Sequence, residues 1–363
     1  MRQRPSHLIL PGRLRGAACR ETCYIGLVAN IIDVAKRAGV SPTTAKRAVR
    51  SPELLAPATL ERVRRAVAEL NYEPDQVAAT LRRGQGRTVG LIVGNIVEPF
   101  FAGLTRAVGK AVREEGYTLL VADNEYDVAN ELGQLKAFAG LRIAGLILRS
   151  GYGTPNLDYL CRMQARGTAV VEVDFTFPGS PFSFVMLDNE GCIRTGIDYL
   201  ASLGHRRIAS LGTFHKTILP DERTLAFPKV MREAGLPLPE AYRRVISPTS
   251  ADAYALTKEL MRLPEPPTAL FATTGNLALG AFEALGELGL SVPRDVSLLT
   301  FDNYPWTGVV DPAVDVIEQP VERMGRAAAR LVLQEVAAPG SPVERLRFGG
   351  TLIRRGSCGP PPS

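Results

Sequence analysis

Residues 30–49 read NIIDVAKRAGVSPTTAKRAV, an order that sets out two short helices joined by a tight turn. Asn30 reads as a helix N-cap, and Asp33, three residues on, supplies the acidic group of the first turn. Gly39 stops that helix. Ser41 caps the next one, and Pro42 at its first position gives up only an N–H that has no helical partner there. A third segment, ATLERVRRAVAELN at 58–71, places Leu60, Val63, Val67 and Leu70 at helical spacing, enough to close a small core over the first two helices. Two helices with a Gly-containing turn, the second starting Ser-Pro-Thr-Thr and carrying Lys46 and Arg47, describe a helix-turn-helix. Taken alone, the same pattern also fits a solvated basic helix on a small bundle.

The charge distribution separates these alternatives in part. The chain has 363 residues and a formal net charge of +6, but residues 1–90 hold 16 Lys/Arg against 7 Asp/Glu, and the remainder holds 27 against 30. A basic front on an otherwise balanced chain suits a polyanion at that end only. Hydrophobic residues at 45% and charged residues at 22% are the balance of a chain with cores to bury, not of a disordered one. No apolar run approaches the roughly 20 residues that span a bilayer, and Leu8-Ile9-Leu10 is too short for a secretion-signal core, so no membrane partner and a cytoplasmic, nucleoid-associated location are expected. Five scattered cysteines (Cys19, Cys23, Cys161, Cys192, Cys358) without a C-x-x-C pair, and three histidines, predict reduced thiols, no metal and no cofactor.

From residue 89 the pattern changes to short β-branched runs alternating with amphipathic stretches: VGLIV (89–93), FAGLTRAVGKAVREEG (101–116), TLLVA (118–122), NELGQLKAFAG (130–140) and AGLIL (144–148). The rhythm continues through TAVVEV (168–173), CIRTGIDYLASLG (192–204), RIASL (207–211), TALFA (268–272), LALGAFEALGELG (277–289) and VSLLTF (296–301). This is the βα alternation of parallel sheets covered by helices, and about nine strands divide more naturally into two lobes than into one sheet. Ligands of such sheets bind beyond the carboxyl ends of the strands, in the crevice between the lobes. Reaction chemistry is not legible: there is no G-x-S-x-G, no P-loop and no metal-ligand cluster, GQGRTVG at 84–90 precedes its strand instead of following it, and His205 has no paired nucleophile. The chain therefore reads as a non-enzyme.

The run from IIDVAKRAGVSPTTAKRAV through NYEPDQVAATLRRGQGRTVGLIV to the closing GGTLIRRGS (349–357) resembles the lactose-repressor and galactose-repressor family of bacterial transcription regulators, from about Val28 to Arg355. The resemblance implies an α/β architecture with a three-helix helix-turn-helix head at 28–73, a hinge helix within 74–87 and a bilobal, periplasmic-binding-protein-like core of two parallel-sheet lobes at 88–358. A disordered tail at 359–363 and an unmatched extension at 1–27 complete the expected organisation. Val28 falls where the family's first methionine often stands, so a native start there is one reading of the extension; a basic arm adding nonspecific DNA affinity is the other.

By the same resemblance, Ser41, Pro42, Thr43, Thr44, Lys46, Arg47 and Arg50 form the DNA-reading helix. Pro42 and Thr43 take the base-reading positions, and Lys46 and Arg50 contact phosphate more readily than bases. Leu81 is the minor-groove wedge of the hinge or, alternatively, a core leucine, and Ala79 replaces an arginine there. Asn95, Phe100, Phe101, Arg149, Arg223, Thr274 and Asp302, each beyond a strand, are the expected effector contacts; Arg149 has a plain surface role as its alternative and Asp302 a turn-capping one. Thr274-Gly275 in place of a polar pair, Pro248 near the position of a stacking aromatic, and Pro228 inside a helix it should kink all depart from the family pattern. With Arg149 and Arg223 they point to an acidic sugar derivative as the effector. The implied protein is a symmetric homodimer whose affinity for an approximately palindromic operator on double-stranded DNA responds to a sugar-like effector, most simply as a repressor. The stretches VGKAVREEG and LALGAFEALGELG are candidate dimer faces or ordinary core. A bilobal sugar-binding protein without regulatory DNA binding is the alternative function, against which the basic helix-turn-helix argues.

Overall fold

The computed structural model describes residues 29–72, 86–151, 155–177, 179–213 and 221–362. The chain divides into two compact units, residues 1–76 and 77–363.

Among its described residues the first unit holds three α-helices, α1 (Ile31–Ala38), α2 (Pro42–Arg50) and α3 (Pro57–Glu69). Asn30 Oδ1 accepts from the backbone N–H of Ile32 at 2.8 Å and of Asp33 at 3.3 Å, while Asp33 Oδ2 accepts from the Asn30 N–H at 3.0 Å. The donors orphaned at the helix start are thus satisfied reciprocally. Gly39 adopts φ +63, the left-handed cap that a Cβ disfavours. Val34, Ala35, Ala38, Ala45, Ala48, Val63 and Ala66 form the buried core, with Leu60, Val67, Leu70 and Tyr72 half-buried against it. Arg37 closes the bundle from outside through a 2.6 Å ion pair with Glu69.

The second unit is built on two six-stranded sheets. The first lobe contains β1 (Thr88–Val93), β2 (Thr118–Asp123), β3 (Gly145–Leu148), β4 (Ala169–Val173) and β5 (Ser183–Leu187), all parallel, in the order β5-β4-β3-β1-β2. The second repeats the order with β6 (Ile208–Thr213), β7 (Arg243–Ile246), β8 (Ala269–Ala272), β9 (Ser297–Phe301) and β10 (Asp315–Glu318), in the order β10-β9-β8-β6-β7. Late in the chain β11 (Arg345–Phe348) adds in parallel to β5, and β12 (Thr351–Ile353) pairs antiparallel with β10. Three connections between the lobes follow, after β5, after β10 and between β11 and β12.

Among the described residues eight α-helices cover the sheets: α4 (Pro99–Glu114), α5 (Val128–Gly140), α6 (Leu157–Ala165), α7 (Asn189–Ser202), α8 (Glu222–Glu233), α9 (Ser250–Leu260), α10 (Gly275–Glu287) and α11 (Val321–Ala337). Burial on both faces accounts for the unbroken apolar runs of β3 and β8 and the mostly apolar β4 and β9; every residue of the four strands is buried, Glu172, Ser297 and Thr300 included. Helix α8 runs through Pro228 instead of ending there. The small-residue face of α10 is spent inside the lobe: a Cβ on Gly280 would stand 1.9 Å from the Ser250 carbonyl oxygen of α9. Internal packing therefore explains much of one of the two expected dimer faces.

The tail differs from the sequence reading. His205 is buried; its Nε2 lies 2.8 Å from the Gly359 carbonyl and its Nδ1 2.8 Å from the Thr268 hydroxyl. A carbonyl only accepts, so Nε2 carries the hydrogen and Nδ1 accepts from Thr268. The Gly359 N–H donates to Ser297 Oγ at 3.0 Å, and the Pro361 ring rests on Gly204. Side-chain partners far away in sequence hold a segment whose composition suggested disorder. Burial depresses the His205 pKa, so its neutral form belongs to the native state, and the stability it contributes is lost as pH falls below about 6.5.

Two glycine substitutions should act in opposite directions in urea unfolding of the core. Gly280→Ala forces α9 and α10 apart and is expected to lower stability by roughly 3 kcal/mol or more. Gly133→Ala, in α5 with nothing within 4 Å of the new Cβ, should raise it by about 0.5–1 kcal/mol.

Candidate functional site

Two surfaces bear the expected functional residues, one in each unit. In the first, Ser41 Oγ accepts from the Thr44 N–H at 3.1 Å and lies 2.9 Å from the Thr44 hydroxyl, so both side chains are engaged in starting α2. Ala45 and Ala48 turn inward, and Pro42, Thr43, Lys46 and Arg47 are exposed. Of the seven expected residues, Ser41 and Thr44 thus start the helix, and Pro42, Thr43, Lys46 and Arg47 reach outward. The Arg50 side chain, Leu81 and the hinge positions 74–85 lie outside the described residues.

The second surface is the crevice between the lobes, about 760 Å³ of space partly open to solvent. Phe100, Phe101, Arg149, Arg223, Thr274 and Asp302 line it. Asn95 does not: its Nδ2 donates to Glu98 Oε1 at 3.3 Å, and Glu98 is the residue that faces the space. The turn after β1 aims Asn95 at its own helix start, which explains the difference.

Arg149 follows β3 and is only 4% exposed, which removes the surface alternative. Its guanidinium carbon lies 4.7 Å from the Tyr126 ring centroid and 5.0 Å from that of Phe175, Nη1 donates to the Ser150 carbonyl at 2.6 Å, and Nε is 3.4 Å from Asp174 Oδ2. Beneath it, the buried Glu131 accepts from Asn156 Nδ2 at 2.8 Å, from Asn124 Nδ2 at 3.2 Å and from the Gly151 N–H, while Asn124 Nδ2 also donates to the Arg149 carbonyl at 2.9 Å. Glu172, fully buried, accepts from the Thr176 hydroxyl at 2.5 Å and the Ser150 hydroxyl at 3.4 Å. Burial raises the pKa of both acids above the usual carboxylate range.

On the second lobe, Arg223 stacks 4.2 Å over the Phe301 ring; its Nε donates to Asn189 Oδ1 and its Nη1 to the Thr273 carbonyl, both at 2.8 Å. The adjacent Asp188 and Asn189 do different work: Asp188 caps α7 by accepting from the Gly191 N–H at 3.0 Å, and Asn189 orients Arg223. Thr274 caps α10. Asp302 caps no following turn; it accepts from Gln319 Nε2 at 2.6 Å and from the Gly275 N–H at 3.3 Å. Asp302 and Asp174 occupy equivalent places, each directly after the fourth strand of its lobe and each with positive φ (71 and 66), a costly backbone for a side-chain-bearing residue that concentrates at functional positions.

Five carboxylates line the crevice, Glu98, Asp174, Asp221, Glu222 and Asp302, against two guanidiniums already supplied with acceptors by the chain. Glu222 is held by a bidentate pair with Arg347 at 3.0 Å, and Asp221 caps α8. This arrangement does not suit the acidic sugar derivative suggested by the two arginines, because an anion entering it meets more negative than positive charge. Tyr126, Asp174, Phe175, Asn276, Tyr304 and Gln319 are crevice residues that sequence reading missed. Asp174 and Gln319, each directly after a strand, were open to the same carboxyl-end rule that found Arg149.

Burial pushes the Glu98 carboxyl up to about 7, with Asp302 and Asp174 adding repulsion against the lowering bonds from Tyr126 and Asn95. A carboxyl with a raised native pKa costs nothing while both states are protonated and destabilises progressively as pH climbs through the window from 4.5 to 7. In urea unfolding, Glu98→Gln should match the parent at pH 4.5 and exceed it by up to about 3 kcal/mol at pH 8. A variant less stable than the parent at pH 8 would contradict this account.

Residues 30–75 match the bacterial regulatory proteins of the lacI family, and residues 197–358 match the periplasmic binding protein-like domain. The HTH-type transcriptional repressor PurR of Pectobacterium carotovorum subsp. carotovorum (strain PC1) is 30% identical over 332 residues, 91% of this chain and 97% of that repressor. The transcriptional regulator CelR–cellobiose complex is similar at 28% identity and a TM-score of 0.68, over 91% of this chain and 99% of that one. The lac repressor dimer bound to operator and the anti-inducer ONPF shares the fold, with a TM-score of 0.81 at 22% identity over 91% and 98% of the two chains. These relatives are regulators, and on the near-complete match with a transcriptional repressor the chain belongs to the lacI family of bacterial regulatory proteins.

Proposed function

We propose that the protein is a transcriptional repressor whose α2 helix reads an operator and whose operator affinity is set by a small polyhydroxylated effector bound between the lobes. The observation that carries the first half is the outward set Thr43, Lys46 and Arg47 on a helix whose inner face, Ala45 and Ala48, is fixed in a core. A threonine near the amino end of such a helix reaches base edges, and an arginine grips guanine or clamps phosphate. One head offers few base-reading groups, since Pro42 has no hydrogen-bonding side chain. A homodimer doubling them on an approximately palindromic site supplies the missing specificity.

The second half rests on the crevice. Aromatic faces at Phe100, Phe101, Tyr126 and Tyr304, mixed with carboxylates and side-chain amides, suit a ring that presents hydroxyl groups on its edge and C–H bonds on its faces. The similarity to a regulator solved with cellobiose supports a carbohydrate. Because the crevice lies between lobes joined by three connections, a ligand that touches both favours one lobe arrangement, and the resulting coupling to DNA is reciprocal.

Selection of bound duplexes from a random library, repeated with candidate sugars present, tests the whole reading: a recovered palindrome whose occupancy changes with a sugar supports it, and no sequence preference in any condition refutes it. In gel shifts on the recovered site, Arg47→Ala should weaken binding by about 1–3 kcal/mol. Lys46→Ala should weaken all duplexes alike and reduce the salt slope by about 1.

A further inference from the structure

The acceptors of the crevice gather from three chain segments that belong to different parts of the fold. Glu98, at the start of α4, comes from the first lobe; Asp302, after β9, comes from the second; Gln319 stands on the connection after β10. Both hydrogen bonds received by Glu98, from Tyr126 Oη at 3.2 Å and Asn95 Nδ2 at 3.3 Å, fall on Oε1, which leaves the Oε2 of this crevice-lining residue without a donor among the described residues. Gln319 is only 6% exposed; its Nε2 is committed to Asp302, and its Oε1 is buried and meets no donor among the described residues. A buried amide oxygen without a donor is costly unless something arrives to supply one.

The positive groups nearby do not supply it. Arg149 is placed against Asp174 and the Ser150 carbonyl, and Arg223 against Asn189 and the Thr273 carbonyl. What faces Glu98 from the surrounding elements is the Tyr126 hydroxyl after β2, the Asp174 carboxylate after β4, and the Asp302 carboxylate and Tyr304 hydroxyl after β9. The aromatic rings of Phe100, Tyr126 and Tyr304 line the same space. A hydroxyl has one hydrogen to give to three acceptors; an ammonium has three, and aromatic faces favour a cation over a neutral group.

We infer that the effector is an amino sugar in chemical class, a polyhydroxylated ring whose protonated primary amine is received by Glu98, Asp302 and the Oε1 of Gln319. This rests on the effector-responsive reading above and narrows it. The ligand touches both lobes and one connection between them through a single charged group.

The test uses the full-length protein and three matched probes, glucosamine, glucose and glucuronate, in calorimetric titration at pH 7.0 and 5.5. At pH 7.0 glucosamine should bind at least tenfold more tightly than glucose, and glucuronate should not bind. At pH 5.5, where the probe stays an ammonium but a proton competes at Glu98, the glucosamine advantage should shrink by about tenfold. Glu98→Gln and, separately, Asp302→Asn should each bring the ratio of glucosamine to glucose affinity, read on the same variant, close to one. Glucose or glucuronate binding as tightly as glucosamine at pH 7.0 overturns the amine inference and leaves the sugar-responsive reading standing. No heat from any of the three overturns both.

Discussion

A parallel strand covered by helices on both faces is filled mainly by apolar side chains, and a polar one along its length needs a partner inside the core, as Glu172 of β4 finds in the Thr176 and Ser150 hydroxyls. In this core that constraint operates on two sheets of the same strand order, and it sorts the chemistry of the molecule. Mostly apolar residues fill β1, β3, β4, β8 and β9, and the groups that line the crevice appear in the first residues beyond the strands: Arg149 after β3, Asp174 after β4, Thr274 near β8, Asp302 after β9, Gln319 after β10. Because the chain passes between lobes three times, the two edges that collect these groups line one crevice. The site follows from how the strands are buried.

Crowding charged groups into a partly desolvated crevice has its own consequence. A buried ion without a partner costs several kcal/mol, so the chain supplies partners to its own cations. Arg149 lies between two aromatic rings with Asp174 at its Nε, and Arg223 lies on Phe301 with its donors on Asn189 and Thr273. The arginines therefore act more as walls than as clamps for an anion. Glu98 is different, because the hydroxyl and amide that reach it do not offset burial and two neighbouring carboxylates.

This distinction marks how far the amino-acid order could be read. The caps at Asn30, Gly39 and Ser41 act over three or four residues and were legible, as were β1–β4, β6, β8 and β9, whose signal lies within five or six residues; β5, β7, β10, β11 and β12 were not read. The reading also located most of the crevice, since the carboxyl-end rule is local to each strand. It failed where a side chain's partner is distant: Asp174 is 25 residues from Arg149, so the sequence showed a cation and not its neutralisation, and an acidic effector seemed to follow. The tail failed for the same reason. Gly-Pro-Pro-Pro-Ser has no helix or strand signal, and nothing local reveals that His205, 154 residues earlier, holds its first carbonyl.

The energetics of the crevice match the scale on which a regulator works. Couplings between an effector and a DNA site typically amount to 1–3 kcal/mol, and holding Glu98 ionised in its buried position at neutral pH costs about as much. A ligand that donates hydrogens to Glu98 and Asp302 together recovers that cost only where the two lobes bring those carboxylates to the same space. Its affinity then differs between lobe arrangements, which is the condition for shifting their populations at all. The connections do not yield freely to such a shift: a Cβ on Gly350, between β11 and β12, would stand 2.9 Å from Cys192 Sγ and 3.1 Å from the Glu318 carbonyl oxygen. Close packing of that kind favours discrete arrangements over continuous bending, the form in which relief of charge at one residue pair would pass to a whole lobe under the function proposed above.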